Sequence, residues 1–353
     1  MKMGKTVYII AILSVLVFES ASACDAANAS GASDNGNKAQ THIYVGSASI
    51  GSTAYTTSSG IATVISNNSD YISVNCQVTS GTNENYAALS TGDMDMMNCD
   101  AGLAYRLGHA EIPKGSPMEQ IYEFEANSDV RFFTNCEPIF TSYIVRADSD
   151  IRTIQDILKP SVRIGFPTPG SAAYSYNKAF FEVLGFNLDD MNIYYAERGE
   201  LVDAFKDRNI DVIVGVMGDL SKPNSVIYEL SLSTDVRLIS LDENTLALFN
   251  SICPAYLKHI IPVGWMRGVD TEVVVVMNGA NFLISKDMPD DVVYDMCKAL
   301  FENLDKLYQI SESFKYITKE TAAADVPCPI HPGALKYYEE NGFTITYIPD
   351  YDS

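Results

Sequence analysis

The sequence predicts an α/β protein of two lobes, each built on a sheet of parallel-type strands. Three observations predict this fold class. Strand patterns alternate with helix patterns from residue 41 to residue 214, two loops of small residues each join a strand to a helix, and consecutive strands replace the alternation from residue 271. Ligands of such sheets bind beyond the carboxyl ends of the parallel strands, so the two loops are the first candidates for a binding site.

The two loops share a composition of small and hydroxylated residues. The first follows a strand at 43–45, and its candidate ligand contacts are Ser52, Thr53 and Tyr55. The second follows a strand at 162–166, and its candidates are Gly170, Ser171 and Tyr174. Small side chains admit a ligand to the backbone, hydroxyls donate hydrogen bonds, and a helix start favours negative charge. Each loop alone is better explained as an ordinary tight turn between strand and helix, but together they predict two lobes that close on one small anion.

The other elements of the first unit keep the order strand, polar loop, helix. We expect a helix at 51–66, a strand at 71–78, a helix that opens with Thr82 and stops at Gly92, and a strand at 94–98. Asp100 can cap the helix that follows. Further strands are expected at 130–133 and 139–145.

The second unit repeats the alternation. We expect helices at 154–158, 172–184 and 201–208, and strands at 192–196 and 211–214. A small-residue turn at 215–218 makes Gly218 a further candidate contact. Strands at 272–277 and 280–285, a long helix at 289–307 and a helix at 334–341 follow, and this C-terminal part is expected to pack back on the first lobe.

Two strand crossings, near 141–147 and 271–280, would form a double hinge between the lobes. The predicted first lobe comprises residues 41–145 plus 276–353, and the predicted second lobe comprises 146–275. A chain of 353 residues is long enough for two such lobes.

The N-terminus has the order of an export signal. Two lysines precede an apolar run at 7–18 and an Ala-Ser-Ala sequence at 21–23, so residues 1–23 are interpreted as a signal peptide. Cys24 stands where a bacterial lipoprotein carries its lipid, and residues 24–40 have the composition of a flexible tether. Ordinary cleavage after residue 23 is the alternative. We expect a secreted protein, periplasmic or at the cell surface, held to the membrane only by a lipid on Cys24.

Charge and residue pattern exclude several functions. The net charge of −21 argues against a nucleic-acid partner, and it would repel an anion at long range, so an anion site must act locally. Seven cysteines without a Cys-x-x-Cys pair and four scattered histidines predict no metal site, and the spacing of the cysteines predicts no disulfide framework.

No catalytic set is visible, so we expect no enzyme and no cofactor. Asp93 with Asp95 could form a carboxylate pair, although a turn after Gly92 explains them better. His331 could be a base or simply part of a helix start. Tyr55, Tyr105 and Tyr174 could line a ligand, whereas most of the other tyrosines are expected to pack.

Several motifs resemble those of the TAXI-type solute receptors of tripartite ATP-independent periplasmic (TRAP) transporters. Residues 51–55 resemble that family's Gly-Gly-Thr-Tyr-Tyr, residues 79–85 its Thr-Gly-Gly-Ser-x-Glu-Asn, and residues 98–100 its Gln-Ser-Asp. Residues 165–171 stand where the family has Gly-Pro-Pro-Gly-Ser-Gly-Thr, and residues 288–294, 299–304 and 330–334 are similar to its C-terminal signatures. Ala54, Ser52, Ser80 and Pro169 depart from the pattern.

The resemblance implies a type II periplasmic-binding-protein fold and a receptor that hands a small carboxylate to a membrane permease. Glutamate, glutamine or a related C5 acid such as 2-oxoglutarate is the implied ligand. Asn85 and Asn98 join Thr82 as candidate contacts through the matched motifs. We expect the receptor to be a monomer. A sensor protein that docks on a membrane kinase or chemoreceptor would share the same lobes, and an exported enzyme is the third alternative.

No arginine lies within the candidate loops. Arg106 and Arg163 are the nearest in sequence, and Arg163 falls inside a predicted strand. We therefore expect backbone amides and hydroxyls at Thr53, Thr82, Gly170 and Ser171 to hold the ligand carboxylate.

Overall fold

A computed structural model describes residues 38–48, 50, 52–109, 112–121, 126–127, 129–136, 138–169, 172–219 and 222–350. The predicted signal peptide, Cys24 and most of the predicted tether lie outside these ranges, as do Gly170 and Ser171. The statements below concern the described residues.

The strands are β1 (Thr41–Gly46), β2 (Ile72–Gln77), β3 (Met96–Asp100), β4 (Val130–Asn135), β5 (Ile139–Arg146), β6 (Arg163–Phe166), β7 (Asn192–Tyr195), β8 (Val212–Asp219), β9 (Val236–Leu238), β10 (Tyr256–Ile261), β11 (Val273–Asn278), β12 (Ala280–Ser285), β13 (Ala323–Val326) and β14 (Ile345–Tyr347). The helices are α1 (Thr53–Asn67), α2 (Thr82–Thr91), α3 (Ala101–Gly108), α4 (Pro117–Ile121), α5 (Ile154–Ile157), α6 (Ala172–Val183), α7 (Arg198–Lys206), α8 (Ser225–Ser233), α9 (Glu243–Ile252), α10 (Asp290–Phe301), α11 (Leu304–Ile310) and α12 (Pro332–Asn341).

The strands form two large mixed sheets and a small third one, so the α/β class is confirmed. The first sheet has the order β2-β1-β3-β12-β4 and the second the order β10-β11-β5-β8-β6-β7, with β9 also paired to β5. The expected parallel pairing holds for β2-β1-β3 and for β7-β6-β8. It is wrong for β12, β5, β10 and β11, which pair antiparallel. β5 and β12 enter their sheets directly from a strand of the other sheet, and β11 follows β10, so none of the three is preceded by the helix that a parallel crossover requires.

The chain passes between the two sheets twice. Residues 136–138 join β4 to β5, and Gly279 alone joins β11 to β12. The sheets therefore divide at 136–138 and at residue 279, whereas the predicted lobes divide at 145/146 and 275/276. Ile139 at the start of β5 pairs with Asp219 at the end of β8, so the carboxyl end of β8 lies beside a crossing.

Two predicted element boundaries are wrong. Residues 215–218 continue β8 instead of turning, because one extra residue is accommodated as a bulge between Val216 and Gly218, which pair with neighbouring residues of β5. The predicted helix at 289–307 is two helices, α10 and α11. Asn303 separates them: its side-chain amide donates to the Ala299 carbonyl at 3.0 Å, and its backbone N–H bonds Leu300 instead.

The C-terminal segment packs on the first sheet, as expected. The Phe132 N–H donates to the Pro329 carbonyl at 2.8 Å, and the Tyr338 hydroxyl donates to the Phe133 carbonyl. α12 packs on α10, which in turn contacts α1. The helices α6 and α9 cover one face of the second sheet, where the rings of Phe180 and Phe249 stack with centroids 3.6 Å apart.

Candidate functional site

Three strand ends of the first sheet converge on one buried amide. The Asn85 side chain, 0% exposed, donates to the carbonyls of Ser47 at 2.7 Å and Asn98 at 3.1 Å. Its Oδ1 accepts a hydrogen bond from the Thr79 hydroxyl at 2.7 Å. Ser47 follows β1, Thr79 follows β2, and Asn98 lies in β3. Because the donors and acceptor of Asn85 are already engaged, we infer that this predicted contact positions the loops rather than a ligand.

The lack of a side chain at Gly46 leaves room for the Asn85 side-chain amide. A Cβ atom at Gly46 would lie 2.5 Å from Asn85 Oδ1 and 2.6 Å from the Met94 sulfur, closer than non-bonded atoms approach. The glycine at the end of β1 is therefore a packing requirement for the Asn85 network.

The first-sheet helices differ at their starts. Ser52, predicted as a ligand contact, caps α1 by accepting from the Tyr55 N–H at 3.1 Å. Asp100 caps α3 by accepting from the Leu103 N–H at 3.1 Å, as predicted. The residue at the cap position of α2 is Gly81, at φ 122°, and no side chain caps this helix. The first turn of α2, which begins at Thr82, therefore offers backbone N–H groups to an incoming anion.

A carboxylate already lies close to this helix start. Glu84 Oε2 accepts from both the backbone N–H and the hydroxyl of Ser80, each at 2.7 Å. These hydrogen bonds lower the pKa of Glu84. Its negative charge orders the loop before α2 and opposes a second anion nearby, so any ligand carboxylate there must be held by direct hydrogen bonds.

The other predicted ligand contacts lie at the edges of the two large sheets, where the chain crosses from one sheet to the other. Thr53 is exposed and Tyr55 half-buried at the first-sheet edge, and Asn98 donates its side-chain amide to the Cys136 sulfur at 3.6 Å. At the second-sheet edge, the half-buried Tyr174 ring lies 5.9 Å from the rings of Phe166 and Tyr195.

Gly218 has a packing role at the same second-sheet edge. It pairs with Pro223, and a Cβ atom at Gly218 would lie 2.4 Å from the Lys222 carbonyl. The chain therefore needs a glycine here for close backbone approach.

The arginines near the loops have different environments. Arg163 is bound to Asp211 within the second sheet, through Nη2–Oδ1 at 2.6 Å and Nε–Oδ2 at 3.0 Å. Burial raises the pKa of Asp211, but the hydrogen bonds from Arg163 outweigh it and leave that pKa lowered. Arg106, on α3, is 7% exposed, and its Nε has no hydrogen-bond partner within the ranges that the structure describes. A buried cation without a carboxylate is costly, so Arg106 is a candidate contact that sequence reasoning set aside.

A second group that sequence reasoning missed is Asn278, the last residue of β11. It is 3% exposed, and neither Nδ2 nor Oδ1 has a hydrogen-bond partner in the described part of the chain. Buried amides are nearly always paired. The available signal was an amide at the end of an apolar strand of four valines and a methionine, immediately before Gly279.

The three residues considered as catalytic candidates, Asp93, Asp95 and His331, have structural roles. Asp95 accepts from the Tyr44 N–H at 2.9 Å and Asp93 from the Thr91 hydroxyl at 2.6 Å, so both support the turn around Gly92. His331 is buried, caps α12 by accepting from the Gly333 N–H at 3.2 Å, and bonds the Met288 carbonyl at 3.0 Å.

The described ranges contain no group of three His, Cys, Asp or Glu side chains that could hold a metal ion. Cys99, Cys253 and Cys297 are free buried thiols, and burial raises the pKa of each well above its usual range. In the same ranges, no helix combines the length and apolar character needed to cross a lipid bilayer.

The sequence profile of the NMT1-like family matches residues 45–342 of the chain. That range includes both large sheets from the end of β1 onward, both crossings and α12. The chain belongs to the NMT1-like family.

Solved structures similar to this NMT1-like protein include three of bacterial origin. The periplasmic aliphatic sulphonate binding protein SsuA of Escherichia coli is 12% identical, with a TM-score of 0.40 over 76% of this chain and 72% of that one. A Xanthomonas citri protein bound to ATP is 11% identical, with a TM-score of 0.47 over 85% and 94%. A structure concerning glutathione import via GshT and the cystine ABC importer TcyBC of Streptococcus mutans is 12% identical, with a TM-score of 0.44 over 78% and 95%.

Proposed function

We propose that this NMT1-like protein is an extracytoplasmic solute receptor. It captures a small carboxylate between two lobes, one built on each large sheet, and delivers it to a membrane permease of the TRAP type. The observation that supports this most strongly is the double crossing. Two short links, 136–138 and Gly279, join sheets whose parallel strands end at the crossing edge, a geometry suited to hinge closure over a ligand.

The ligand class is proposed from the groups at this edge. The uncapped start of α2 and the start of α6 supply backbone N–H groups, and Thr53 and Thr82 supply hydroxyls. Such groups suit a carboxylate, and the motifs shared with TAXI receptors favour glutamate, glutamine or a C5 relative. Membrane attachment through Cys24, a monomeric state and the absence of turnover belong to the same proposal.

Gly170→Val tests the binding site directly, because a side chain at Gly170 would block the approach of the ligand to the loop before α6. We expect calorimetric titration with glutamate to show at least ~100-fold weaker binding, equivalent to about 2.7 kcal/mol. Gly199→Val is the matched control, since a Cβ atom at Gly199 meets no atom within 4 Å. Equal loss of affinity in both variants, or none in Gly170→Val, would contradict the proposed site.

Hinge closure predicts a second observable. Saturating ligand should reduce the radius of gyration in solution scattering, and the change should be absent in Gly170→Val at the same ligand concentration. Superimposable profiles for the wild-type protein with and without a tightly bound ligand would argue against closure.

A further inference from the structure

Asn278 is an unusual side chain for its position. It is 3% exposed, yet both its Nδ2 donor and its Oδ1 acceptor lack hydrogen-bond partners among the described residues. Removing an amide from water without replacing its hydrogen bonds is unfavourable, so an orphaned pair of this kind indicates a group supplied from outside the chain.

Strand pairing shows which way this side chain faces. Asn278 pairs with Tyr256 of β10, so these two side chains share one face of the second sheet, and its backbone pairs with position 139 of β5. Tyr143 lies on the same face, four residues along β5, and its hydroxyl donates to Asn177 of α6 at 3.4 Å. The Tyr256 ring meets Phe249 of α9 edge-on at 6.5 Å. Asn278 is therefore on the face that α6 and α9 cover.

The position along that face is the start of α6. Ile139 lies about 13 Å before Tyr143 along β5, at ~3.3 Å per residue. The first residue of α6 lies about 7.5 Å before Asn177, at ~1.5 Å per residue. Since α6 returns from the carboxyl end of β6 and runs in the direction of β5, Asn278 lies just before the amino end of α6, the end toward which the backbone N–H groups of a helix point.

Asn281 is a comparable buried amide whose unpartnered atom has an explanation within the protein. Its Nδ2 donates to Asn135 Oδ1 at 2.5 Å, and only its Oδ1 lacks a partner. It lines a cavity of about 20 Å³ between the crossing and the C-terminal segment, room for a single water molecule. Asn278 is not part of that cavity's lining, so a water there does not account for its two unpaired atoms.

We propose that Asn278 recognises the amino acid end of the ligand: Nδ2 donates to the ligand carboxylate and Oδ1 accepts from the adjacent ammonium group. This rests on the proposed function, because it uses the same cleft beside α6. A side-chain amide presents a donor and an acceptor together, and an α-amino acid presents their complements. A 2-oxo acid has no donor to offer and would leave Oδ1 unpaired in the closed cleft. The ligand class is therefore α-amino acids rather than 2-oxo acids or plain dicarboxylates.

The test compares acids that share one carbon skeleton. Titration calorimetry of the full-length protein with L-glutamate, L-glutamine, 2-oxoglutarate and glutarate should show the amino acids binding at least ~100-fold more tightly, as expected when a site's polar group is left unpaired by the poorer ligand. In Asn278→Leu the ratio of amino acid affinity to 2-oxoglutarate or glutarate affinity should fall below about threefold, because the amide that accepts from the ammonium group is removed. The ligand-free melting temperature should stay equal or rise, since the unpaired amide is removed.

Ser142→Ala is the matched control, because Ser142 is also buried with an unpartnered Oγ and lies in β5 with its side chain on the opposite face to Tyr143. It should retain the full selectivity. Tighter binding of 2-oxoglutarate by the wild-type protein would overturn this inference while leaving the proposed carboxylate receptor intact, and that measurement requires no variant to fold. Unchanged selectivity in Asn278→Leu would also overturn it. If none of the four acids binds, both this inference and the proposed carboxylate receptor on which it rests are overturned.

Discussion

Replacing Asn85 with alanine should destabilise the protein and weaken ligand binding together. The change removes donors from the buried carbonyls of Ser47 and Asn98 and the acceptor of the Thr79 hydroxyl, which keeps a second bond to Ser47 at 2.9 Å. The Thr79 hydroxyl still donates to the Ser47 carbonyl in the variant, so the Asn98 carbonyl is the group that loses its side-chain donor. Leaving a buried polar group unpaired costs about 1–3 kcal/mol, and we expect a loss of that size in the free energy of unfolding.

The assay is equilibrium urea unfolding of the ligand-free protein, with calorimetric titration of glutamate on the same preparations. Asn83→Ala is the matched control, because Asn83 is exposed on the same helix, and its effect should stay within about 0.5 kcal/mol. A loss below about 1 kcal/mol in Asn85→Ala with unchanged affinity would refute the reasoning that this amide holds three strand ends in register.

The remaining predictions concern charge and pH. Arg163→Gln should leave ligand affinity nearly unchanged in calorimetry, because its guanidinium is engaged by Asp211; loss of binding would contradict this. Arg106→Met should raise the melting temperature without affecting affinity if the cation has no ligand role, whereas a loss of at least ~10-fold in affinity would add Arg106 to the site. Burial lowers the pKa of His331 below the unfolded value of ~6.5, so stability should fall as the pH drops from about 6.5 through the lowered pKa. Urea unfolding across this range should show a smaller fall in His331→Asn, and an unchanged slope would be evidence against the buried cap.

The elements with strong periodicity were predictable. The alternation at 72–77 and the cap at Asp100 gave β2 and the start of α3, because local pattern and local hydrogen bonds decide both. The antiparallel strands at the crossings and the bulge in β8 were not, since they depend on pairing between strands that are distant in sequence: β8 and β11 with β5, and β12 with β3 and β4. The segment that forms α8, β9, α9 and β10 carried no assigned pattern.

The candidate site was predictable as a region more than as a set of contacts. Asn85 and Gly218 were expected to meet a ligand, yet their partners are the Ser47 and Asn98 carbonyls in one case and the Lys222–Pro223 backbone in the other. An amide or a glycine serves either purpose, and only long-range contacts distinguish them. Asn278 went unrecognised for the converse reason: its importance lies in lacking a partner, which no sequence pattern displays.

The identity of the captured solute tests the central claim most directly. Protein purified from its native host under mild conditions is denatured, and the released small molecules are quantified by mass spectrometry against a Gly170→Val preparation treated identically. The account predicts an equimolar small carboxylate, specifically an α-amino acid, that is depleted in the variant. A cationic or carboxylate-free solute in equimolar amount, or the same acid released equally by Gly170→Val, would contradict it.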